Sequence, residues 1–89
     1  MERAEIVKQV AFIIAEQLAK KEDEIKEEQK LVADLGFDEL DAIEVQFAIE
    51  EVFNIELTDE IAEKMETVKD LVDFVEKNIV KVEPTKEVK

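Results

Sequence analysis

The sequence contains no cysteine and no histidine among its 89 residues. Disulfides, thiolate chemistry and the usual zinc and copper ligand sets are therefore excluded, and any metal would have to be a hard cation held by carboxylates. Serine and tyrosine are also absent, and the only hydroxyl side chains are those of Thr58, Thr67 and Thr85. Because ordinary pairs of nucleophile and base cannot be assembled, we do not expect an enzyme. Because cysteine and histidine are missing, we do not expect a metal site either.

Glycine and proline occur once each, while alanine, leucine, glutamate and lysine are frequent. This composition predicts an all-α fold. The longest uninterrupted apolar run, Val10 to Ala15, is too short to cross a bilayer, and the acidic start Met1-Glu2-Arg3 does not resemble a targeting segment. We expect a cytoplasmic monomer that does not insert into membranes.

Positive charge is scarce, with 12 basic residues against 25 acids and a net charge of −13. Such a surface should repel nucleic acid and anionic membranes and should favour encounter with basic protein surfaces. An alternative is that the acids serve solubility alone.

The apolar pattern predicts three longer helices and a short one around a single core, with a long first loop over residues 20–37. The expected helices cover residues 3–19, 39–53, 59–64 and 68–79. Phe12 falls off the apolar stripe of the first helix and is either partly exposed or packed under a loop. We expect one domain over residues 1–79, followed by a frayed polar tail over residues 80–89.

The ends of the loops carry helix-capping residues. Asp38, reinforced by Asp41, should cap the second helix, while Thr58 and Thr67 should cap the third and fourth. Gly36 can adopt the positive φ that a turn before a helix requires. The first loop should be pinned to the core by its apolar residues, which are Ile25, Leu31, Val32 and Leu35.

The second helix has two apolar faces. At about 100° per residue, one face should point to the core, and its members are Ala42, Val45, Ile49, Val52 and Phe53. The opposite face contains Leu40, Ile43 and Phe47, with Glu44, Glu50 and Glu51 around it. Either these three apolar residues form an exposed docking surface, or Leu40 and Phe47 tuck beneath the loop or the short helix.

Charge placement favours docking, because residues 31–63 contain eleven acids and no lysine or arginine. Segregation of this kind adds self-repulsion, which a basic partner would relieve. Loose binding of divalent cations is a further possibility, but the acids do not fit the calcium-loop pattern.

The run from Leu31 to Asp41, continued by Glu44, residues 48–51 and Phe53, resembles the signature of acyl carrier proteins. The similarity extends over about residues 5–78. It implies an acyl-carrier-protein-like four-helix bundle of fatty-acid and lipid metabolism. In that family the signature reads Asp-Ser-Leu, and the serine carries 4′-phosphopantetheine, whose thiol holds the acyl chain.

The matching triplet in this chain is Asp38-Glu39-Leu40. A carboxylate cannot form a stable phosphodiester, so phosphopantetheine is expected from the family but is not attachable at Glu39. The residue either stabilises the first turn of the helix through its charge or imitates part of the missing phosphate for partners. The resemblance assigns partner binding to Asp38, Leu40, Asp41, Ile43, Glu44, Phe47, Glu50 and Glu51.

We therefore expect a relative that docks onto basic surfaces of lipid-metabolism enzymes or assemblies and cannot itself carry an acyl chain. The alternative is an acyl carrier protein for fatty-acid biosynthesis whose attachment site has been altered by engineering or redesign.

Overall fold

Four α-helices and one 3₁₀ turn make up the fold in a computed structural model, which describes residues 2–86, with side chains up to Ile79. The helices are α1 (Arg3–Leu18), α2 (Glu39–Phe53), α3 (Asp59–Ala62) and α4 (Val68–Lys86), and the 3₁₀ turn is Glu22–Glu24. The expected all-α bundle of three longer helices and one short helix is confirmed. The 3₁₀ turn inside the long first loop was not predicted, and α3 ends earlier than expected.

The helices α2, α3 and α4 begin at the capping residues that the sequence indicated. Asp38 accepts from the backbone N–H of Asp41 at 2.8 Å, and the Asp41 carboxylate accepts from the N–H of Asp38 at 3.2 Å. Thr67 and Asp70 form the same reciprocal pair at α4. The Thr58 hydroxyl caps α3. Each cap satisfies an N–H that the helix itself leaves without a partner.

Residues with positive φ end the first two helices and shape the turn before α2. Ala19 follows α1 with φ 57°, and Asn54 follows α2 with φ 56° and donates its N–H to the carbonyl of Glu50. Gly36 has φ 73°, as expected for the turn that leads to Asp38.

The last helix continues to Lys86. The sequence predicted a frayed backbone from residue 80 onward, and over residues 80–86 this prediction is wrong. Pro84 has no N–H, and a helix that passes through it lacks one backbone hydrogen bond. Residues 87–89 lie outside the described residues, and the division at residue 79 stays a prediction.

The core lies where α1 packs against α2 and α4, and the buried side chains come from all three. The first loop contributes Ile25, Leu31 and Leu35 as expected, but Val32 is 71% exposed. Val32 directly follows the inward-pointing Leu31 in a turn, so both side chains cannot face the core. Phe12 is exposed on the outer side of α1. Within residues 2–86, none of the helices combines the length and apolar character needed to span a bilayer.

Backbone hydrogen bonds join the first loop to the first turn of α4. The N–H of Val68 donates to the carbonyl of Gln29 at 3.1 Å, and the N–H of Lys69 donates to the carbonyl of Glu27 at 2.9 Å. In return, the N–H of Leu31 donates to the carbonyl of Glu66 at 2.8 Å. The N–H groups that a helix leaves free at its start are thus satisfied by the loop.

Arg3 ties the start of α1 to both of these segments. Its guanidinium donates to Glu27 at 2.7 Å and to Asp73 and Glu76 at 2.8 Å each. These three carboxylates raise the pKa of Arg3. In the other direction, hydrogen bonds from Arg3 first and then from Lys69 hold the pKa of Asp73 below its ordinary value. The cluster holds α1, the first loop and α4 together on one side of the bundle.

Substitution Asp73→Asn should lower the free energy of unfolding at neutral pH. The folded-state pKa of Asp73 is lowered, so its contribution to stability is present above the ordinary value of 3.8 and is lost as the pH falls through the lower folded-state value. Urea unfolding followed by circular dichroism should show a difference from the parent that disappears on acidification.

The matched control is Asp23→Asn, which removes the same charge from an exposed residue of the 3₁₀ turn. It should leave stability unchanged or raise it slightly, because it reduces the repulsion of a chain with net charge −13. Equal effects of the two substitutions would contradict the stabilising role of the Arg3 cluster.

Candidate functional site

The outer face of α2 presents three large apolar side chains to solvent. Leu40 is 60% exposed, Ile43 is 40% exposed and Phe47 is 61% exposed. We call these three residues the α2 strip. The alternative that Leu40 and Phe47 tuck beneath the loop or the short helix is wrong. Contiguous exposed apolar residues within a charged rim are typical of a binding surface.

The inner face of α2 differs from the expected one at three positions. Val52 is 51% exposed, and Ala42 is also exposed. Gln46, which was not predicted to be buried, is 9% exposed. Burial of Gln46 beside Ile49 rotates the buried stripe around the helix and leaves Val52 at its edge. Ala42 lies within the stripe but faces a cavity that opens to solvent.

The predicted partner-binding acids near the start of α2 serve the fold. Asp38 and Asp41 cap the helix, and Gln17 of α1 donates to Asp41 at 3.0 Å. The hydrogen bond from Gln17, followed by the backbone N–H of Asp38, holds the pKa of Asp41 below its ordinary value. Asp41 therefore joins the beginning of α2 to α1 and stays ionised.

Glu50, another of the predicted partner-binding acids, is half-buried, and its carboxylate accepts from the backbone N–H of Leu57 at 2.8 Å. This bond fixes the segment between α2 and α3, because Leu57 itself is only 1% exposed. Glu50 thus positions Leu57 as part of the core.

The other acids of α2 are free of such bonds. Glu39, Glu44 and Glu51 are exposed, and in the part of the chain whose side chains are described none of them accepts a hydrogen bond from another side chain or from a loop N–H. Their charges are available to a partner. Of the residues that the sequence assigned to binding, the α2 strip and these exposed acids lie together on the outer face.

A cavity of about 310 Å³ lies between the first loop, α2, α3 and the start of α4. Phe37, Val45 and Leu57 are among the apolar residues of its wall, and Glu39 and Glu63 lie at its edge. Glu39 and Glu63 also line an adjoining groove that reaches Ile43 of the α2 strip. The exposed surface and the cavity thus meet at Glu39.

Gln46 connects α2 to the segment before α3. Its side-chain nitrogen donates to the carbonyl of Leu57 at 2.7 Å and to the Asp59 carboxylate at 3.0 Å. Sequence reasoning missed this residue, although it lies four positions after Ala42 and three before Ile49, which is the spacing of the inner face. The cavity was missed as well, since it depends on how the loop packs.

Glu39, the first residue of α2, offers a carboxylate, which cannot form a stable phosphodiester with a prosthetic group. The Thr58 hydroxyl is committed as the cap of α3, and the Thr67 hydroxyl as the cap of α4. The start of α2 therefore presents a carboxylate and no hydroxyl side chain.

Comparison with known proteins identifies relatives of this chain. A family model described as "Phosphopantetheine attachment site" matches residues 8–75, which include all of α2 and α3. The chain is also 52% identical over 66 residues to the acyl carrier protein of Wolinella succinogenes. This match covers 74% of the present chain and 87% of that protein.

Substitution Glu50→Ala should lower the free energy of unfolding by about 1–3 kcal/mol, because it leaves the buried N–H of Leu57 without an acceptor. Its neighbour supplies the matched control. Glu51→Ala removes an exposed carboxylate and should change stability by no more than about 0.5 kcal/mol. Chemical unfolding of both variants measures the difference, and similar values would show that Glu50 is not a structural residue.

Proposed function

This chain belongs to the acyl carrier protein family, and from that premise we propose that it docks onto basic surfaces of lipid-metabolism enzymes through α2 without carrying an acyl chain itself. Acyl carrier proteins are carriers and not enzymes, and this agrees with a sequence that contains no serine, cysteine, histidine or tyrosine. The proposal has two parts, which concern docking and the loss of carriage.

The loss of carriage rests on Glu39. The triplet Asp38-Glu39-Leu40 occupies the start of α2, where the family's Asp-Ser-Leu signature supplies an esterifiable serine. A phosphate joined to a carboxylate would be a reactive acyl phosphate that water cleaves. The chain contains no serine that could take over, and its described threonine hydroxyls cap other helices.

The observation that carries the docking part is the exposure of the α2 strip beside free acids. Leu40, Ile43 and Phe47 offer apolar contact, while Glu44 and Glu51 offer negative charge on the same helix. Residues 31–63 contain no basic side chain that could neutralise this face from within the segment. A partner with a basic rim around an apolar depression would complement it.

Such a contact should be transient. The surface consists of one helix face, and interfaces of that size belong to the weak class. Because charge contributes much of the attraction, the affinity should be micromolar or weaker and should fall as salt is added. We expect this docking to take place in the cytoplasm.

Glu39 itself fits both roles considered for it. A negative charge in the first turn of a helix stabilises it by about 0.3–1 kcal/mol. The exposed carboxylate also lies where a partner of the family meets a phosphate, so it can imitate part of that charge. Both roles leave Glu39 without a covalent group.

The second candidate is a carrier scaffold whose attachment site was altered by engineering or redesign. The observation that favours it is the retention of the surrounding signature, with Asp38 still capping α2 and Leu40 still exposed. A chain altered only at position 39 should become a working carrier once a serine is restored.

Incubation with a phosphopantetheinyl transferase and coenzyme A tests the loss of carriage. The parent chain should gain no mass, because Glu39 offers no hydroxyl to esterify. Glu39→Ser should gain one phosphopantetheine group by intact-mass measurement, since the rest of the signature is present. A covalently modified parent chain would refute the proposal, and failure of Glu39→Ser to gain the group would count against the altered carrier.

The same transferase tests docking when Glu39→Ser is the substrate. Adding Glu44→Lys and Glu51→Lys should slow modification by about tenfold or more, because like charge now opposes the basic partner surface. The slowing should appear in kcat/KM and should shrink at high salt. The measurement is the initial rate of mass gain at two salt concentrations.

The control carries Glu16→Lys and Glu28→Lys in the same background. These two exposed acids lie on α1 and in the first loop, and their reversal changes the net charge by the same amount. It should slow modification much less, since neither of the altered charges lies on α2. Equal slowing by both pairs would show that only overall charge matters and would contradict docking through α2.

A further inference from the structure

Met65 is one of two methionines in the chain, and the other is Met1. Cysteine, histidine, tryptophan and tyrosine are all absent. The side chains that peroxides oxidise most readily in proteins are the thiolate of cysteine and the thioether of methionine. Mild oxidation by a peroxide is therefore directed to the two methionines, of which Met65 lies within the described residues.

The side chain of Met65 borders two different environments in the segment between α3 and α4. On one side it forms part of the apolar cavity wall with Leu31 and Leu71. On the other side it lines a groove along α4, together with Lys64 and Lys77. Met65 is half-buried, so a small oxidant can reach this side chain from the cavity or from the groove.

The backbone next to Met65 belongs to the connection between the first loop and α4. The carbonyl of Glu66 accepts from the N–H of Leu31 at 2.8 Å, and the N–H of Glu66 donates to the Asp70 carboxylate at 2.8 Å. The side chain of Met65 packs against the core beside these bonds. Loss of that packing would weaken a segment that holds the first loop in place.

Oxidation by a hydroperoxide converts the thioether of Met65 into a sulfoxide. The sulfur lone pair attacks the terminal oxygen, the S–O bond forms as the O–O bond breaks, and the departing oxygen takes up a proton to give water or an alcohol. The sulfur loses two electrons and the peroxide gains them. The apolar side chain becomes a polar one whose oxygen accepts hydrogen bonds.

The cavity wall suits the thioether, whereas the groove suits the sulfoxide. Three of the residues that line the cavity are acids, which offer no N–H donor when ionised, and the Gln46 amide nitrogen already donates to two other oxygens. In the groove, the ammonium groups of Lys64 and Lys77 are donors. A polar group without a partner in an apolar wall is unfavourable, so oxidation should move the side chain of Met65 to the groove.

We propose that Met65 is a reversible oxidation site, at which a peroxide forms the sulfoxide and moves the side chain from the cavity wall to the groove along α4. The packing that is lost loosens the segment between α3 and α4 and lowers the stability of the bundle. This proposal does not depend on docking through the α2 strip.

Brief treatment of the folded chain with hydrogen peroxide, followed by peptide mass mapping, measures the accessibility of Met65. The residue should gain one oxygen atom at a rate within about tenfold of its rate in the urea-unfolded chain, because it borders two openings. Stronger protection by the fold would overturn the proposal.

Urea unfolding of the oxidised chain measures the effect on stability. Oxidation should lower the midpoint by on the order of 1 M urea, because the sulfoxide gives up its packing against the core. The matched control is Met65→Leu, which keeps an apolar side chain of similar volume and retains Met1. Peroxide should leave the midpoint of this variant unchanged, and equal shifts in both chains, or none in the parent, would contradict the proposal.

Two further measurements test the reversibility and the movement of the side chain. Methionine sulfoxide reductases that act on both sulfoxide epimers should restore the original midpoint. In NMR spectra of the chain labelled at its methionine methyl groups, nuclear Overhauser contacts between Met65 and Leu71 should disappear on oxidation. A midpoint that does not recover would rule out a reversible site, and contacts that persist would rule out the movement to the groove.

Discussion

The joint between the first loop and the first turn of α4 is the constraint on which the rest of the structure depends. The first loop has no regular secondary structure of its own to pair its backbone polar groups. Its carbonyls accept hydrogen bonds from N–H groups that α4 leaves unpaired at its start. Arg3 reinforces the joint from α1 through Glu27 and Asp73. With the loop held, Leu31 and Phe37 reach the core, and Asp38 arrives where it can begin α2.

A division among the acids of α2 follows from this arrangement. Asp38, Asp41 and Glu50 accept hydrogen bonds that fix the ends of the helix and the segment after it. Glu39, Glu44 and Glu51 are left exposed beside the α2 strip. The helix α2 thereby helps to hold the bundle together and also presents a charged, partly apolar face, because the two tasks fall on different side chains.

Much of this organisation could be predicted from the sequence, since it rests on local chemistry. The caps at Asp38, Thr58 and Thr67 and the turn at Gly36 follow from residue type and spacing, which also place Leu40 and Phe47 opposite the buried face of α2. Features that depend on packing could not be predicted. Val32 and Val52 are exposed because neighbours take the inward positions, and the cavity and the burial of Gln46 arise only when the loop, α2 and α3 meet.

The left-handed backbone at Ala19 makes the chain less stable than it could be. An alanine at φ 57° costs on the order of 1 kcal/mol relative to a glycine, which bears no Cβ to clash with the next carbonyl. This residue is exposed at the end of α1. Evolution or an engineer could therefore make the chain more stable at this position without altering any surface involved in recognition.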